Sequence, residues 1–338
     1  MALKKVKVGK KSYDVSVTEI SFTKEKFAAS DLQKLSLFPN LAKLSISFGD
    51  IEDLQPLSEL SSLTSLSLTM NSGANDIRVL SGLTNLSSLS LSMQRIKDVT
   101  PLSGLVNLTS LCLSGNPVTD LAPLSKLEKL ASLQLSSVEM QSLKPLLKLS
   151  NLTDLKLSFC ELKVISPLSS LSKLSSLDLS SNKIVDMSPL AALHDLSDLD
   201  ISTNKVTNLA PLAGLQSLAV LNLTENQITN VSPLAELVNL EVLYLPMNSI
   251  SDISALAGLH KLAKLDLGEN KISSVKPLAG LKNLVTLDLL NNPISDATPL
   301  AELRNLTELH LMPSTPKDQI NLLKKALPKC KFMLNVFD

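Results

Sequence analysis

Three histidines and three cysteines are the side chains of this 338-residue chain best suited to bind a metal or attack a substrate, and their spacing argues against both. His194, His260 and His310 lie 66 and 50 residues apart. No His-Glu-x-x-His, phosphate loop or Cys-x-x-Cys surrounds them. Carboxylates are the other candidates. Asp154, Asp178, Asp198 and Asp200 recur at related positions, but paired acids do general acid–base work only where water is kept out, and nothing in the pattern encloses them. The expectation is a chain with no catalytic residue, no metal and no cofactor. Its chemistry would lie in what an open surface presents: rows of charge, and exposed Phe and Met side chains.

The elements that present those rows come from a 22-residue unit. Lead leucines fall at Leu41, Leu63, Leu86, Leu108, Leu130, Leu152, Leu174, Leu196, Leu218, Leu240, Leu262, Leu284 and Leu306, every interval being 22 except the 23 between Leu63 and Leu86. With the lead leucine as position 1, apolar residues hold positions 1, 4, 6, 11, 14, 17 and 20, as in Leu174, Leu177, Leu179, Ile184, Met187, Leu190 and Leu193. Positions 3 to 5 alternate polar, apolar, polar, which predicts a short strand with one buried face. Proline recurs at position 16, for example Pro101, Pro189 and Pro277, and predicts entry to a 3-10 turn. Asparagine at position 9 (Asn71, Asn116, Asn182, Asn204, Asn226, Asn248, Asn270, Asn292) can bond backbone groups of its own and adjacent turns. Gly49, Gln94, Val138 and Cys160 break that row, and the adjacent Val138 and Cys160 predict a weak point. The odd interval predicts a bulged loop at Asn71–Asn75.

Fixed self-similarity of this length defines a solenoid, whose units bury their apolar edges only against neighbours. The expected fold is α/β: a curved horseshoe with a parallel sheet on its concave face and 3-10 turns on its convex face. Residues 1–16 read as a β-hairpin cap, with Gly9-Lys10-Lys11-Ser12 as its loop. Residues 17–311 read as repeats, the first one degenerate at Val17, Ile20 and Phe22. Residues 312–338 read as a cap of one helix, started by Ser314 or Thr315 before Pro316, and a last strand at 331–334.

Composition narrows the partner. Basic and acidic residues balance at 32 each, against nucleic acid as the main partner, and no apolar run is long enough to span a membrane. Cys112 and Cys160, two repeats or roughly 10 Å apart, are too distant for a disulfide. Free thiols, and an N-terminus without an apolar signal core, predict a cytoplasmic protein.

The assembled pattern LxxLxLxxNxIxDxxPLxxL, clearest over Leu174–Leu281, resembles the leucine-rich repeats of the internalin and SDS22-like class. The resemblance covers about residues 17–311. It implies a partner-binding protein that uses a concave face: a host receptor for internalins, which are bacterial surface proteins, and protein phosphatase 1 for the intracellular SDS22-like regulators.

Outward side chains come from positions 2, 3, 5, 7 and 8. Position 5 runs from Ser21, Ser45, Ser67 and Ser90 through Cys112, Gln134 and Lys156 to Asp178, Asp200, Asn222, Tyr244, Asp266, Asp288 and His310. With Asp154 and Asp198 from position 3, the middle of the chain becomes an acidic strip. Stacked like charges serve no packing purpose, so they are candidates to meet a basic partner; the other reading is a common Leu-Asp-Leu form with a solvated Asp. Position 8 offers Phe48, Met70 and Met93 in successive repeats, then Phe159, Glu225 and Met247. These read either as an interaction patch or as side chains packed on the loop. Tyr244 beside Met247 is a smaller patch. The sequence thus predicts a monomeric, non-enzymatic protein-binding module, an intracellular scaffold or regulator. An internalin-like adhesin or secreted effector is the alternative.

Overall fold

A computed structural model describes residues 5–23, 29–49, 51, 53–71, 73 and 75–334, and the chain divides into two compact units, Met1–Cys160 and Glu161–Asp338. The first unit opens with a hairpin, β1 (Lys5–Val8) and β2 (Lys11–Asp14), in which Val8 pairs Lys11. The loop is therefore two residues, Gly9 and Lys10, shorter than expected, because Gly9 adopts φ 59° and closes the turn at once. Val6 and Val8 are buried, and the Tyr13 ring meets Phe22 and Phe38 edge-on at 6.0 and 6.3 Å.

Parallel strands follow in chain order: β3 (Glu19–Thr23), β4 (Lys43–Ser47), β5 (Ser65–Thr69), β6 (Ser88–Ser90), β7 (Ser110–Cys112), β8 (Ser132–Gln134) and β9 (Asp154–Lys156). The link from β3 to β4 is two residues longer than the repeat; it holds a short helix, α1 (Ala29–Gln33), before the usual 3-10 turn at Lys34–Leu37, and buries Leu32 and Leu35. The second unit continues the same design with β10 (Ser176–Asp178), β11 (Asp198–Asp200), β12 (Val220–Asn222), β13 (Val242–Tyr244), β14 (Lys264–Asp266), β15 (Thr286–Asp288) and β16 (Glu308–His310). It ends with α2 (Lys317–Ala326) and β17 (Lys331–Met333), which pairs parallel to β16. Pro316 itself is the N-cap of α2 and its carbonyl accepts from the Ile320 N–H, so the hydroxyls of Ser314 and Thr315 lie too early to cap. Ile320, Leu323 and Leu327 are buried, as their spacing predicts.

The apolar positions form the core. Leu177, Leu179, Ile184, Met187, Leu190 and Leu193 are each at most 1% exposed. The 3-10 turns, such as Thr100–Gly104 and Ser188–Ala192, carry Pro at their second residue, but Arg78–Gly82 and Ser254–Gly258 form the same turn with Val79 and Ala255. Proline therefore favours the turn without being required. What recurs before it is an Asx cap: the carboxylates of Asp53, Asp98, Asp120, Asp186, Asp252 and Asp296 accept the N–H two residues on, as Asp186 does from Ser188 at 2.8 Å.

The position-9 asparagines tie repeats together. Asn204 Nδ2 donates to the Leu179 carbonyl of the preceding repeat at 2.9 Å and to the Ile201 and Ser202 carbonyls of its own, while its Oδ1 accepts the Ile184 N–H. Breaks in the row differ in kind. The Cys160 thiol still reaches the Leu135 and Ser158 carbonyls at 3.1 and 3.3 Å, so the expected weak point narrows to the apolar Val138. Gln94 Nε2 donates to Leu68 O at 2.7 Å, leaving its Oε1 buried without a partner among the described residues. At Gly49 a Cβ would stand 2.5 Å from Asn71 Oδ1, which instead accepts the Gly49 N–H. The expected bulge at Asn71–Asn75 includes Ser72 and Ala74, which lie outside the described residues; Asn71 keeps its ladder bonds to Ile46 O and Thr69 O.

A second asparagine row lies at position 22. In the first unit Asn107 and Asn151 donate to the carbonyls of Thr84 and Glu128; in the second Asn239, Asn283 and Asn305 donate to Gln216, His260 and Lys282. Asn107-Leu-Thr and its equivalents read as glycosylation-like triplets, but these amides are part of the framework.

Candidate protein-binding face

Position 8 is where each repeat leaves its strand, and the structure gives it one backbone conformation in the repeats led by Leu41 to Leu284. In the first unit Phe48, Met70, Met93, Ser137 and Phe159 have φ of 54–59°, and Gly115 has φ 71°. In the second Ser181, Thr203, Glu225, Met247, Glu269 and Asn291 have φ of 52–55°. Left-handed backbone costs a non-glycine residue roughly 1–2 kcal/mol. The inter-strand ladder holds each residue there, the Met93 N–H donating to Ser114 O at 3.0 Å and the Met247 N–H to Gly268 O at 3.1 Å. This conformation turns the side chain outward: Phe48, Met70, Met93, Phe159 and Met247 are all exposed, Phe159 by 65%. The reading of position 8 as packed on the loop does not hold for them. Met93 lies across the next repeat, where a Cβ on Gly115 would stand 2.8 Å from its Cγ.

The rest of the first unit's face is hydroxyl. Between Lys43 and Asp154 no outward position carries a charge. The hydroxyl of Ser158 donates along its column to that of Ser136 at 2.8 Å, and Ser92 bonds the Cys112 thiol of the neighbouring repeat's position 5 at 3.0 Å. Asp154 and Lys156 enter on its last strand, where Asp154 accepts the Ser132 hydroxyl at 3.0 Å.

In the second unit the register sets Asp178 beside Asp200 and Ser176 beside Asp198. These carboxylates do have a structural purpose, contrary to the expectation. Asp178 Oδ1 accepts the Ser180 N–H at 2.9 Å and its hydroxyl at 2.6 Å, and Asp200 does the same with Ser202. Asn222 fills the same role for Thr224 while donating to Asp200 Oδ2 at 2.9 Å. Position 5 thus closes an Asx turn at Asp178, Asp200 and Asn222, and the second oxygen of Asp200 accepts the Asn222 amide. Tyr244 is half-buried under the Lys264 ammonium, 5.1 Å from its ring centre. Asp266 is pushed above the usual carboxyl range, first by burial and then by the charge of Asp288, despite the Gly268 N–H it accepts. The Glu225 carboxylate accepts the Thr203 hydroxyl at 3.0 Å. His310 links Asp288 and Glu308 at 3.0 and 2.9 Å, a contact that spacing alone could not show.

Among the described residues no group of three or more His, Cys, Asp or Glu could hold a metal ion, and no helix is long and apolar enough to cross a membrane. Parallel three-residue strands, 3-10 returns and the asparagine ladder define a leucine-rich repeat solenoid. The model for leucine-rich repeats in two copies matches residues 150–192, 172–214, 216–258, 238–280 and 260–302. A solved internalin from Listeria monocytogenes is 31% identical, covering 92% of this chain and 94% of that one with a TM-score of 0.84. A leucine-rich repeat protein from Leptospira interrogans, 24% identical over 88% of this chain and 91% of that one, shares the fold at a TM-score of 0.66. So does a plant peptide hormone receptor solved in complex with RGF2, 21% identical over 92% of this chain and 58% of that one, also at 0.66. No curated protein matches the chain. The chain belongs to the leucine-rich repeat proteins of internalin-like type.

Proposed function

We propose that this protein is a non-enzymatic binding module that takes a protein partner on its strand face, with the acidic column of the second unit meeting basic side chains. The carrying observation is the outward carboxylate row of Asp178, Asp198, Asp200 and Asp266: one oxygen of Asp178, Asp200 and Asp266 is spent on a turn, yet Asn222 performs that duty without charge. Turn formation therefore accounts for an Asx residue but not for a carboxylate. Exposed Phe48, Met70, Met93, Phe159 and Met247 add apolar contacts, and Asp154, Lys156, Glu225 and Tyr244 complete the face. No nucleic acid, membrane or cofactor enters this reading, and the protein acts as a monomeric cytoplasmic scaffold or regulator.

The test uses asparagine, because lysine at these positions would also remove the Asx hydrogen bonds. Asp178→Asn with Asp200→Asn keeps the Asx geometry and removes two charges. Partner captured by the parent chain and identified by mass spectrometry should bind the double variant at least tenfold more weakly by titration, with an unchanged melting transition; equal affinity rejects the acidic face. The 31% identity to an internalin favours a second reading, a surface or secreted protein engaging a foreign receptor. Antibody labelling of intact cells separates them: surface signal supports the second, signal only after permeabilisation the first.

A further inference from the structure

The single 23-residue repeat lies beside a cleft on the turn side of the first unit, away from the strand face. Its volume is about 360 Å³, and Asn75, Asp76, Arg78, Arg95, Lys97 and Asp98 line it. Arginine is rare in this chain: Arg78, Arg95 and Arg304 are the only ones among 32 basic residues, and two of the three meet here. The choice matters because a guanidinium offers a planar fork of donors that matches a tetrahedral oxyanion, which a lysine ammonium does not.

Both carboxylates in the cleft are already committed. Asp76 is gripped by Arg78 Nε and Nη2 at 2.9 and 2.5 Å and also accepts the Arg78 N–H, and the Arg78 side chain holds its carboxyl down at about 2. Asp98 accepts the Thr100 N–H at 2.8 Å. The Arg95 and Lys97 side chains have no hydrogen-bond or ion-pair partner among the described residues. The uncommitted charged groups of the cleft are therefore cationic. Arg95 also sits at φ 59°, a conformation that arises next to Gln94, where the asparagine row is broken. Glu161, beside Cys160, has the same conformation at φ 57°, so it follows from the broken row.

We propose that this cleft is an oxyanion site that takes a phosphate or sulfate group between Arg95, Lys97 and the free edge of Arg78. It stands independently of the strand-face reading. The test is isothermal titration of the full chain at fixed ionic strength with inorganic phosphate, sulfate and, as a planar anion, acetate. Saturable binding of one phosphate or sulfate per chain, tighter than acetate, is expected. Arg95→Gln with Lys97→Gln should weaken it at least tenfold, Arg95→Lys severalfold, and Arg304→Gln not at all. Non-saturable heats, or equal affinity in the double glutamine variant with its melting transition intact, overturn the proposal. Should the double variant not fold, Lys97→Gln alone carries the test, and unchanged affinity there overturns it equally.

Discussion

The strand faces of Met1–Cys160 and Glu161–Asp338 are cut from the same 22-residue pattern and present different chemistry. The first is uncharged from Lys43 to Asp154, a field of serine and threonine edged by Phe48, Met70 and Met93. The second carries nine outward carboxylates, Asp178 and Glu308 at its limits, against Lys264 as its one outward lysine. Inside, the two units are alike: leucines at positions 1, 4, 6, 17 and 20 are buried in both. Folding therefore fixes the inward positions and leaves the outward ones to vary, so a difference between units at positions 5 and 8 reports on what each face meets. The inference holds only where the outward residue has no folding duty, and position 5 shows how that can fail. Its Asx role makes Asp locally useful, and only the Asn222 repeat shows that the charge is dispensable for the turn.

The largest expected effects test the shared interior. Leu111→Ala in the first unit and Leu243→Ala in the second each empty a fully buried site and should each cost about 2–5 kcal/mol in urea unfolding. A difference between them beyond that spread would show that the two interiors are not equivalent. Next come the asparagine rows. Asn204→Val strands the Leu179 carbonyl and the Ile184 N–H, for a loss of about 1–3 kcal/mol, whereas Cys160→Val gives up one weak thiol donor and should cost less than half as much. Equal losses would mean that the thiol is a full substitute for the amide.

These rows also mark how far the sequence could be read. Period alone located every strand from β4 to β16, the 3-10 returns and the position-9 ladder, because each follows from spacing of apolar residues, proline and asparagine. The first strand-to-strand link escaped it: β3 and β4 stand 24 residues apart, so Leu32, Leu35 and Phe38 fall at positions 14, 17 and 20 only when counted back from Leu41, and α1 is not part of the repeat pattern. Backbone conformation escaped too. Phe, Met, Ser, Thr and Glu at position 8 share no side-chain property that signals φ near 55°, since the ladder imposes it from neighbouring repeats. A signal did exist for the outer caps in the recurring Asp at position 13. The site was legible as a set of exposed columns, whereas the local duties of Asp178 and Asp200 required the hydrogen-bond geometry.

Acid titration separates charge used for folding from charge left for a partner. Hydrogen bonds hold the outer-cap carboxyls below their usual range: Asp98 and Asp296 chiefly by the hydroxyls of Thr100 and Thr298, Asp186 and Asp252 chiefly by the amides of Ser188 and Ser254. A depressed carboxyl contributes stability above the unfolded-state value near 4, and that contribution fades as the pH falls through the folded-state value. Both units should therefore lose stability on acidification below about pH 4. Asp266 runs the other way. Raised by burial, it favours the fold when protonated, and that contribution is lost as the pH rises through its folded value. Asp266→Asn, which can still accept the Gly268 N–H, should raise the melting temperature at pH 7 and leave it unchanged at pH 3. A lower melting temperature at pH 7 would refute the assigned cause.

The smallest expected effect addresses position 8 and sharpens the contrast between faces. Met70→Gly in the first unit and Met247→Gly in the second remove an exposed side chain and relieve a left-handed backbone, at φ 54° and 55°. Glycine recovers up to about 1 kcal/mol of conformational strain, offset by its greater freedom in the unfolded chain, so both variants should unfold within about 0.5 kcal/mol of the parent or slightly above it. Binding supplies the contrast. If the apolar edge is the first unit's contact and the carboxylates the second's, Met70→Gly should weaken partner affinity several times more than Met247→Gly does, with salt weakening the remaining affinity in both. Equal losses would join the two apolar positions into one contact, and a loss of stability above 1 kcal/mol at either would show a methionine packing that its exposure denies.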